Sequence, residues 1–300
     1  MKTVDVLVVG AGPAGLSSAI NLASEGRSVI LLEKRARAGG QAGTSALIEN
    51  FLGHSAGFSG SHLAEQSHEQ CCKFGVEIVY NVDIQTIVST CSGYVVQSHP
   101  PELYIGRTVL LALGLSSRWL GVPGEDHPLI HHGMKMDALE CPEGAHVVLV
   151  GGGNAAGQAA LYYLDQGATV SIFTNRPIKQ TMSAYLIERL HGRVPVFEGN
   201  AQGFVPSAGG VVVWVGGGPA SEAQCVHILI GQEPRTDWLG KLIERDEKGY
   251  IVTDNQHKTS RPGVFAVGDV VSDAVRRVAC AVGYGAEVVP TIHAYLEEMG

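Results

Sequence analysis

Residues 4–9 read Val-Asp-Val-Leu-Val-Val and stop at Gly10, and residues 146–150 read His-Val-Val-Leu-Val and stop at Gly151. Short apolar runs of this kind, rich in β-branched residues and bounded by glycine, predict strands buried on both faces, as in a parallel sheet. Behind each run come a stretch with helical periodicity, 14–24 and 154–166, and a second apolar run, 29–32 and 169–173. Strand, glycine turn, helix and strand in that order open a doubly wound α/β unit, and this chain carries the opening twice. The pattern further predicts a helix over 61–74, strands near 76–80, 84–88 and 93–98, and a buried strand over 108–114. Later come strands over 211–215, 226–230 and 263–270, then a polar turn and a helix over 275–296. A Pro/Gly cluster at 121–124 marks the passage out of the first unit, and the chain crosses back near 237–239.

The two glycine turns carry the chemistry. In Gly10-Ala11-Gly12-Pro13-Ala14-Gly15, Gly10 permits the tight turn, Gly12 lets a pyrophosphate approach the backbone and Gly15 lets the helix pack on the strands. The helix opened by Pro13 and Ala14 then points unpaired N–H groups and its positive dipole end at the phosphates. Glu33, followed by Lys34, ends the second strand where a carboxylate can bind an adenosine ribose and repel a 2′-phosphate. FAD or NAD is the expected guest. The second turn, Gly151-Gly152-Gly153, opens its helix with Asn154 and Ala155, but the strand after it ends in Thr174-Asn175-Arg176 without an acid. Arg176 and Lys179 are available to pair with a 2′-phosphate, which favours NADPH and keeps NADH as the alternative; the plain alternative is that both are solvated surface charges. Asp269, delivered by Gly268 at the carboxyl end of a strand, is placed to hydrogen-bond a cofactor hydroxyl.

Composition narrows the remaining classes. A 300-residue chain with 45% hydrophobic and 17% charged residues suits two domains with sizeable cores. A formal net charge of −8 without a dense basic run argues against nucleic acid as a partner. No apolar run approaches the roughly 20 residues that span a bilayer, and no signal-peptide layout precedes Val4, so a cytoplasmic protein is expected. The six cysteines form neither a Cys-x-x-Cys nor a metal-ligand spacing, and each is expected to be a buried small hydrophobe.

The pieces now assembled resemble, in order, the low-molecular-weight thioredoxin reductase-like flavoproteins. They are the first turn with Glu33, Gly39-Gly40-Gln41, Ile48-Glu49-Asn50-Phe51-Leu52-Gly53, Ala112-Leu113-Gly114, the second turn, Gly231-Gln232-Glu233-Pro234, and Gly268-Asp269 with Arg276-Arg277-Val278-Ala279. The resemblance implies two Rossmann-like three-layer domains, an FAD domain split into residues 1–117 and 238–300 and an NAD(P)H domain, 118–237, inserted between its halves. It also implies a homodimer with non-covalent FAD. Gln41 and Asn50 would lie near the isoalloxazine, with Gly40, Ala112 and Gly114 close to the cofactor. Asp269 would contact the ribityl and pyrophosphate part, and Arg277, Val278 and Ala279 the pyrimidine edge.

Two departures from that pattern matter. Read back from Gly151 without a gap, Met134 and Asp137 stand where the disulfide-reducing relatives carry their cysteines. A thioether cannot exchange with a disulfide, so thioredoxin reduction by a dithiol route is not expected, and the chain resembles a subgroup lacking the cysteine pair. His131, His132 and Asp137 are instead the candidates for proton transfer to a small-molecule acceptor between the domains. The second departure is the reduced basic cluster after the second nucleotide strand. The expected activity is electron transfer from NAD(P)H through FAD to a non-disulfide acceptor: a small organic molecule, a quinone-like compound or oxygen. A protein redox partner has no support in the residues. The alternatives are an FAD-dependent oxidase or oxidoreductase of a biosynthetic intermediate with a vestigial nicotinamide site, and a flavin-bound redox sensor or interaction protein.

Overall fold

The computed structural model describes residues 3–134, 143–216 and 218–299. Along the chain run β1 Thr3–Val9, α1 Pro13–Ser24, β2 Val29–Leu32, α2 Gly60–Lys73, β3 Glu77–Val79, β4 Asp83–Thr90, β5 Gly93–His99, β6 Leu103–Leu111 and β7 Ser116–Ser117. There follow β8 Ile130–His132, β9 His146–Val150, α3 Asn154–Asp165, β10 Thr169–Thr174, α4 Ala184–Leu190, β11 Val196–Glu198, β12 Ala201–Ser207, β13 Gly210–Val215 and β14 Gly218–Ala223. The chain closes with β15 Cys225–Ile228, β16 Gln232–Glu233, β17 Val264–Ala266 and α5 Val278–Glu298. These elements fall into two compact units, one of residues 1–43, 48–116 and 233–300, the other of 44–47 and 117–232.

In the first unit β3, β2, β1 and β6 lie side by side, and β17 adds to β6; all these pairings are parallel. The antiparallel strands β5 and β4 extend the sheet from the other half of β6. Successive side chains of a strand face opposite ways. Val6, Val8, Leu31 and Leu110 therefore join one core with Leu16, Val288 and Ile292 of the two long helices, while Leu7, Val9, Ile30, Leu32 and Leu111 join a second core on the other face. Burial on both faces is why these strands read as unbroken apolar runs.

The second unit repeats the plan with a parallel sheet ordered β11-β10-β9-β15-β8. One face is covered by Ala159, Tyr163 and Leu186 from α3 and α4, the other by Phe204, Val211, Val213 and Ala223 of the antiparallel β12-β13-β14 sheet. Both units are thus α/β with Rossmann-type sheets, as expected. Several boundaries differ from the expectation. Strand β6 stops at Leu111, short of Gly114, and the last helix starts at Val278 because Asp273 adopts φ 61° and Arg277 remains extended. Gly268–Val270 makes a single tight helical turn rather than continuing β17. Strand β8 was not among the predicted strands, because its pairing partner, β15, is remote in sequence.

Helices α1 and α5 cross closely: a Cβ at Gly285 would stand 2.3 Å from the Ala14 carbonyl oxygen, whereas one at Gly283 would meet nothing within 4 Å. Gly285→Ala is expected to cost about 1–3 kcal/mol through overpacking, and Gly283→Ala to be neutral or stabilising by up to about 1 kcal/mol through helix propensity. Urea unfolding of the two variants checks the contrast.

Candidate functional site

At the carboxyl end of β1 the first glycine turn separates into positions that the protein's own packing requires and one that it does not. A Cβ at Gly10, where φ is 104°, would lie 2.4 Å from the Ala112 oxygen, and one at Gly15 would lie 1.9 Å from the Gly10 oxygen and 3.2 Å from the Ala112 Cβ. At Gly12 the nearest atom would be the Gly40 Cα, 4.0 Å away. No packing constraint demands glycine there; what its missing side chain keeps clear is the space before α1. Gly12 is also the N-cap of α1, without a side-chain capping bond, with Pro13 behind it and no acid in the first turn. The unpaired N–H groups of such a helix start form an anion site. Gly40 closes on Gly12, its would-be Cβ 2.9 Å from the Gly12 Cα, and Gly268 closes on Ala14, likewise 2.9 Å from its Cβ. Gly10, Gly12, Pro13, Ala14, Gly15, Gly40, Ala112 and Gly268 are therefore brought together at one end of the sheet, with Asp269 next to them in the chain.

The acidic residues sit differently from one another. Glu33 is buried and braces the turn, Oε2 accepting from the Ala11 N–H at 2.7 Å and Oε1 from the Arg35 N–H at 2.8 Å. A carboxylate has about four acceptor sites, so capacity for a ribose remains. Asp269 is half-buried, and burial pushes its carboxyl above the usual value while Arg276 pulls it back. Arg277 caps the start of α5, with Val278 and Ala279 in the first turn. Gln41 donates to the Leu115 carbonyl, Asn50 is exposed, and Gly114, at φ 60°, borders open space. The Lys34 ammonium lies 2.9 Å from Asp83 Oδ2, in an exposed ion pair.

The second turn has the same division. Cβ atoms at Gly151 and Gly152 would collide with the Leu229 oxygen at 2.2 Å and Thr174 Oγ1 at 2.3 Å, while one at Gly153, the uncapped N-cap of α3, would meet only the Thr181 oxygen at 3.8 Å. Ala155 lies in the first turn behind it. Asn154 is spent partly on the fold, since its Oδ1 accepts from the Ser183 N–H at 2.7 Å, and Thr181 Oγ1 donates to the Gly152 oxygen at 2.7 Å. Thr181 and Ser183, remote in sequence from the glycines, escaped the sequence reading. Arg176 and Lys179 are exposed, and among the described residues neither has an ion-pair partner.

The histidine pair is divided by the structure. Because His131 and His132 are successive residues of β8, their side chains face opposite sides of the strand. The His131 ring packs 5.3 Å from that of His227, a fully buried residue whose Nε2 is 2.6 Å from the Tyr163 hydroxyl and whose Nδ1 is 3.2 Å from the Gly133 oxygen. The His132 ring stacks on Trp119 at 3.9 Å, and Nδ1 stands 3.8 Å from Glu125 Oε1. Glu125 is itself buried, accepting backbone N–H bonds from Leu120, Gly121 and Val122. The two imidazoles therefore face opposite sides of β8 with different ring partners, and Asp137 lies outside the described residues. The cysteines also diverge from the expectation: Cys71 and Cys225 are buried, but Cys72 and Cys91 are exposed.

With this geometry in place, comparison with known proteins is informative. The family model for the pyridine nucleotide-disulphide oxidoreductases matches residues 4–285; the family binds FAD and NADPH. The chain is 30% identical to the thioredoxin reductase of Treponema pallidum over 98% of each chain. It is also 30% identical to a 34.2 kDa protein in the rubredoxin operon of Clostridium pasteurianum, covering 95% of this chain and 94% of that one. Among solved structures it superposes on the thioredoxin reductase of T. acidophilum with a TM-score of 0.89, at 29% identity and over 100% of both chains.

Two outcomes follow from the first turn. Gly12→Ala should change the stability of the apoprotein by no more than about 1 kcal/mol, the size of an N-cap preference, yet lower flavin content; Gly10→Ala should destabilise the apoprotein itself. Flavin absorbance and denaturant melts of both variants separate the roles. For Asp269, a folded-state pKa raised above 3.8 means that the fold favours the protonated acid, a contribution complete below 3.8 and lost as pH rises through the raised value. Asp269→Asn should therefore make the apoprotein more stable than the parent at neutral pH, and this advantage should vanish at pH below 3.8 in melts recorded across pH.

Proposed function

We infer that this chain, which belongs to the pyridine nucleotide-disulphide oxidoreductase family, takes electrons from NADPH through FAD and delivers them to an acceptor other than a disulfide. The acceptor class is a small organic molecule, a quinone-like compound or oxygen. The observation that carries this reading is the absence of any Cys-x-x-Cys in the chain, with Met134 and Asp137 at the positions matching the dithiol. Disulfide reduction through a dithiol relay needs two thiols that form and break a bond beside the flavin. The missing cysteine pair supports assignment to a subgroup of the family that lacks the redox cysteines.

In this reading FAD occupies the domain formed by residues 1–117 and 238–300, and NADPH the domain of 118–237. Bound flavin supplies hydride and single-electron chemistry. The protein's residues hold and orient it. Gly12, Ala14 and Gly15 offer backbone N–H groups to the pyrophosphate, Gly10 and Ala112 keep the turn in place, and Glu33 takes the ribose hydroxyls. Gly40, Gln41, Asn50 and Gly114 border the ring system, Asp269 accepts from a ribityl hydroxyl, and Arg277, Val278 and Ala279 present the start of α5 to the pyrimidine edge. In the second site Gly151, Gly153, Asn154 and Ala155 form the corresponding turn. Arg176 and Lys179 pair with the 2′-phosphate, supported by the lack of an acid at the end of β10; NADH is the poorer donor. Proton transfer to the acceptor falls to one side of β8 only. The ring nitrogens of His132 are both buried without a hydrogen bond, so the imidazole serves as a proton group only once Trp119 uncovers it, whereas His131 packs against the buried His227. The working protein is a homodimer.

Anaerobic stopped-flow mixing tests the electron path. NADPH should bleach the flavin, and Arg176→Ala with Lys179→Ala should weaken NADPH about tenfold, the equivalent of roughly 1.4 kcal/mol, while leaving NADH unchanged. Steady-state assays should show turnover with a quinone or oxygen and none with thioredoxin. Thioredoxin reduction at the rate of a dithiol reductase overturns the assignment of the acceptor, and a flavin inert to both nicotinamides overturns that of the donor.

A further inference from the structure

Away from both glycine turns, three polar side chains meet in a line beside α2. His68 and Cys72 are four residues apart on that helix, hence neighbours on one face, and Cys72 Sγ lies 3.5 Å from His68 Nε2. The other ring nitrogen, Nδ1, is 2.8 Å from the hydroxyl of Tyr80, which follows the sheet strand β3. Burial, with Cys71, Cys72 and Glu33 adding to it, raises the Tyr80 phenol, so this residue remains a neutral hydrogen-bonding group. Cys72 is exposed, whereas its neighbour Cys71 is buried and has its thiol pushed up to about 12 by burial. A thiol, a base within reach of it and a third group that orients the base are the parts of an activated nucleophile.

We propose that Cys72 is a covalent modification site that reacts with small-molecule disulfides, with His68 as its proton acceptor and Tyr80 as the residue that orients His68. In the tautomer that carries its proton on Nδ1 and donates it to the Tyr80 oxygen, the imidazole presents the lone pair of Nε2 to the thiol. The Cys72 proton passes to Nε2 as Sγ attacks one sulfur of the disulfide. A new S–S bond forms to Cys72, the reagent's own S–S bond breaks, and the departing thiolate takes the proton from His68. Cys72 is thereby oxidised to a mixed disulfide and half of the reagent is reduced to a thiol, so no other oxidant is required. Cys71, protonated and fully buried, does not attack the adduct, which persists until an external thiol removes it. The site uses neither the flavin nor NADPH and does not depend on the identity of the electron acceptor.

The protein contains its own control in Cys91, an exposed thiol in the turn between β4 and β5 for which no imidazole contact exists among the described residues. The experiment treats FAD-loaded protein with hydroxyethyl disulfide near pH 6.5, where an ordinary thiol is almost wholly protonated, without NADPH, and follows each cysteine by peptide mass mapping. Cys72 should acquire the adduct about tenfold faster than Cys91 or more, as expected for a thiol with a neighbouring base, without a Cys71–Cys72 cross-link. His68→Gln should bring Cys72 down to the Cys91 rate, and Tyr80→Phe should leave an intermediate rate with a shifted pH profile. Equal rates at Cys72 and Cys91 in the parent protein, a comparison that needs no variant, overturn the proposal, as does a Cys72 rate unchanged by His68→Gln.

Discussion

The close approach of the Gly10 backbone to the Ala112 carbonyl is the constraint on which the first unit depends. With only 2.4 Å between that oxygen and the place where a Cβ would stand, strands β1 and β6 can end together only if the first carries glycine. Their shared end then sets the start of α1, and Gly15, packed over Gly10, lets the helix lie down on the sheet. Everything that borders the cradle is held relative to this point: Gly40 against Gly12, Gly268 against Ala14, and Gly285 of α5 against the same turn of α1. Gly12 is the position of the turn that this packing leaves free, its would-be Cβ no nearer than 4.0 Å to any neighbour.

The second unit meets the same geometric problem with different residues. Gly151 stands to the Leu229 oxygen, 2.2 Å from its would-be Cβ, as Gly10 does to Ala112, and in both units the carbonyl belongs to the residue just past the neighbouring parallel strand. Equivalent backbone geometry does not bring equivalent side chains. Where Glu33 braces the first turn through the Ala11 N–H, the second is braced by one hydroxyl and one amide, Thr181 donating to the Gly152 oxygen and Asn154 accepting from the Ser183 N–H. The first nucleotide strand ends at Glu33 and the second at Thr174-Asn175-Arg176, and a carboxylate at such a strand end opposes a ribose 2′-phosphate.

Buried charge is handled sparingly. Glu33 and Glu125 are buried carboxylates, and each is surrounded by backbone N–H donors, which compensates the desolvation of an ionised group. Among the described residues Asp269 has no such set of backbone donors, and burial raises its carboxyl while Arg276 lowers it.

The apolar runs at 4–9 and 146–150 with their glycine turns determined by themselves that the chain holds two parallel-sheet units, because a strand buried on both faces and a turn that excludes Cβ leave a local mark in sequence. The glycines, Glu33 and the missing Cys-x-x-Cys are equally local facts. Tertiary structure alone decided which neighbours compete for a side chain. Lys34 is paired with Asp83, Asn154 with Ser183, and His131 and His132 are turned to opposite sides of a strand that exists only because β15, nearly a hundred residues on, lies beside it. The same holds for the cysteines. Nothing in the adjacent pair Cys71-Cys72 tells which one is buried and which faces an imidazole; that follows from the face α2 presents to the sheet, and from Tyr80 arriving from another element to meet His68. Backbone geometry is encoded within a few residues, whereas the pairing of polar side chains depends on contacts that only the folded chain brings together.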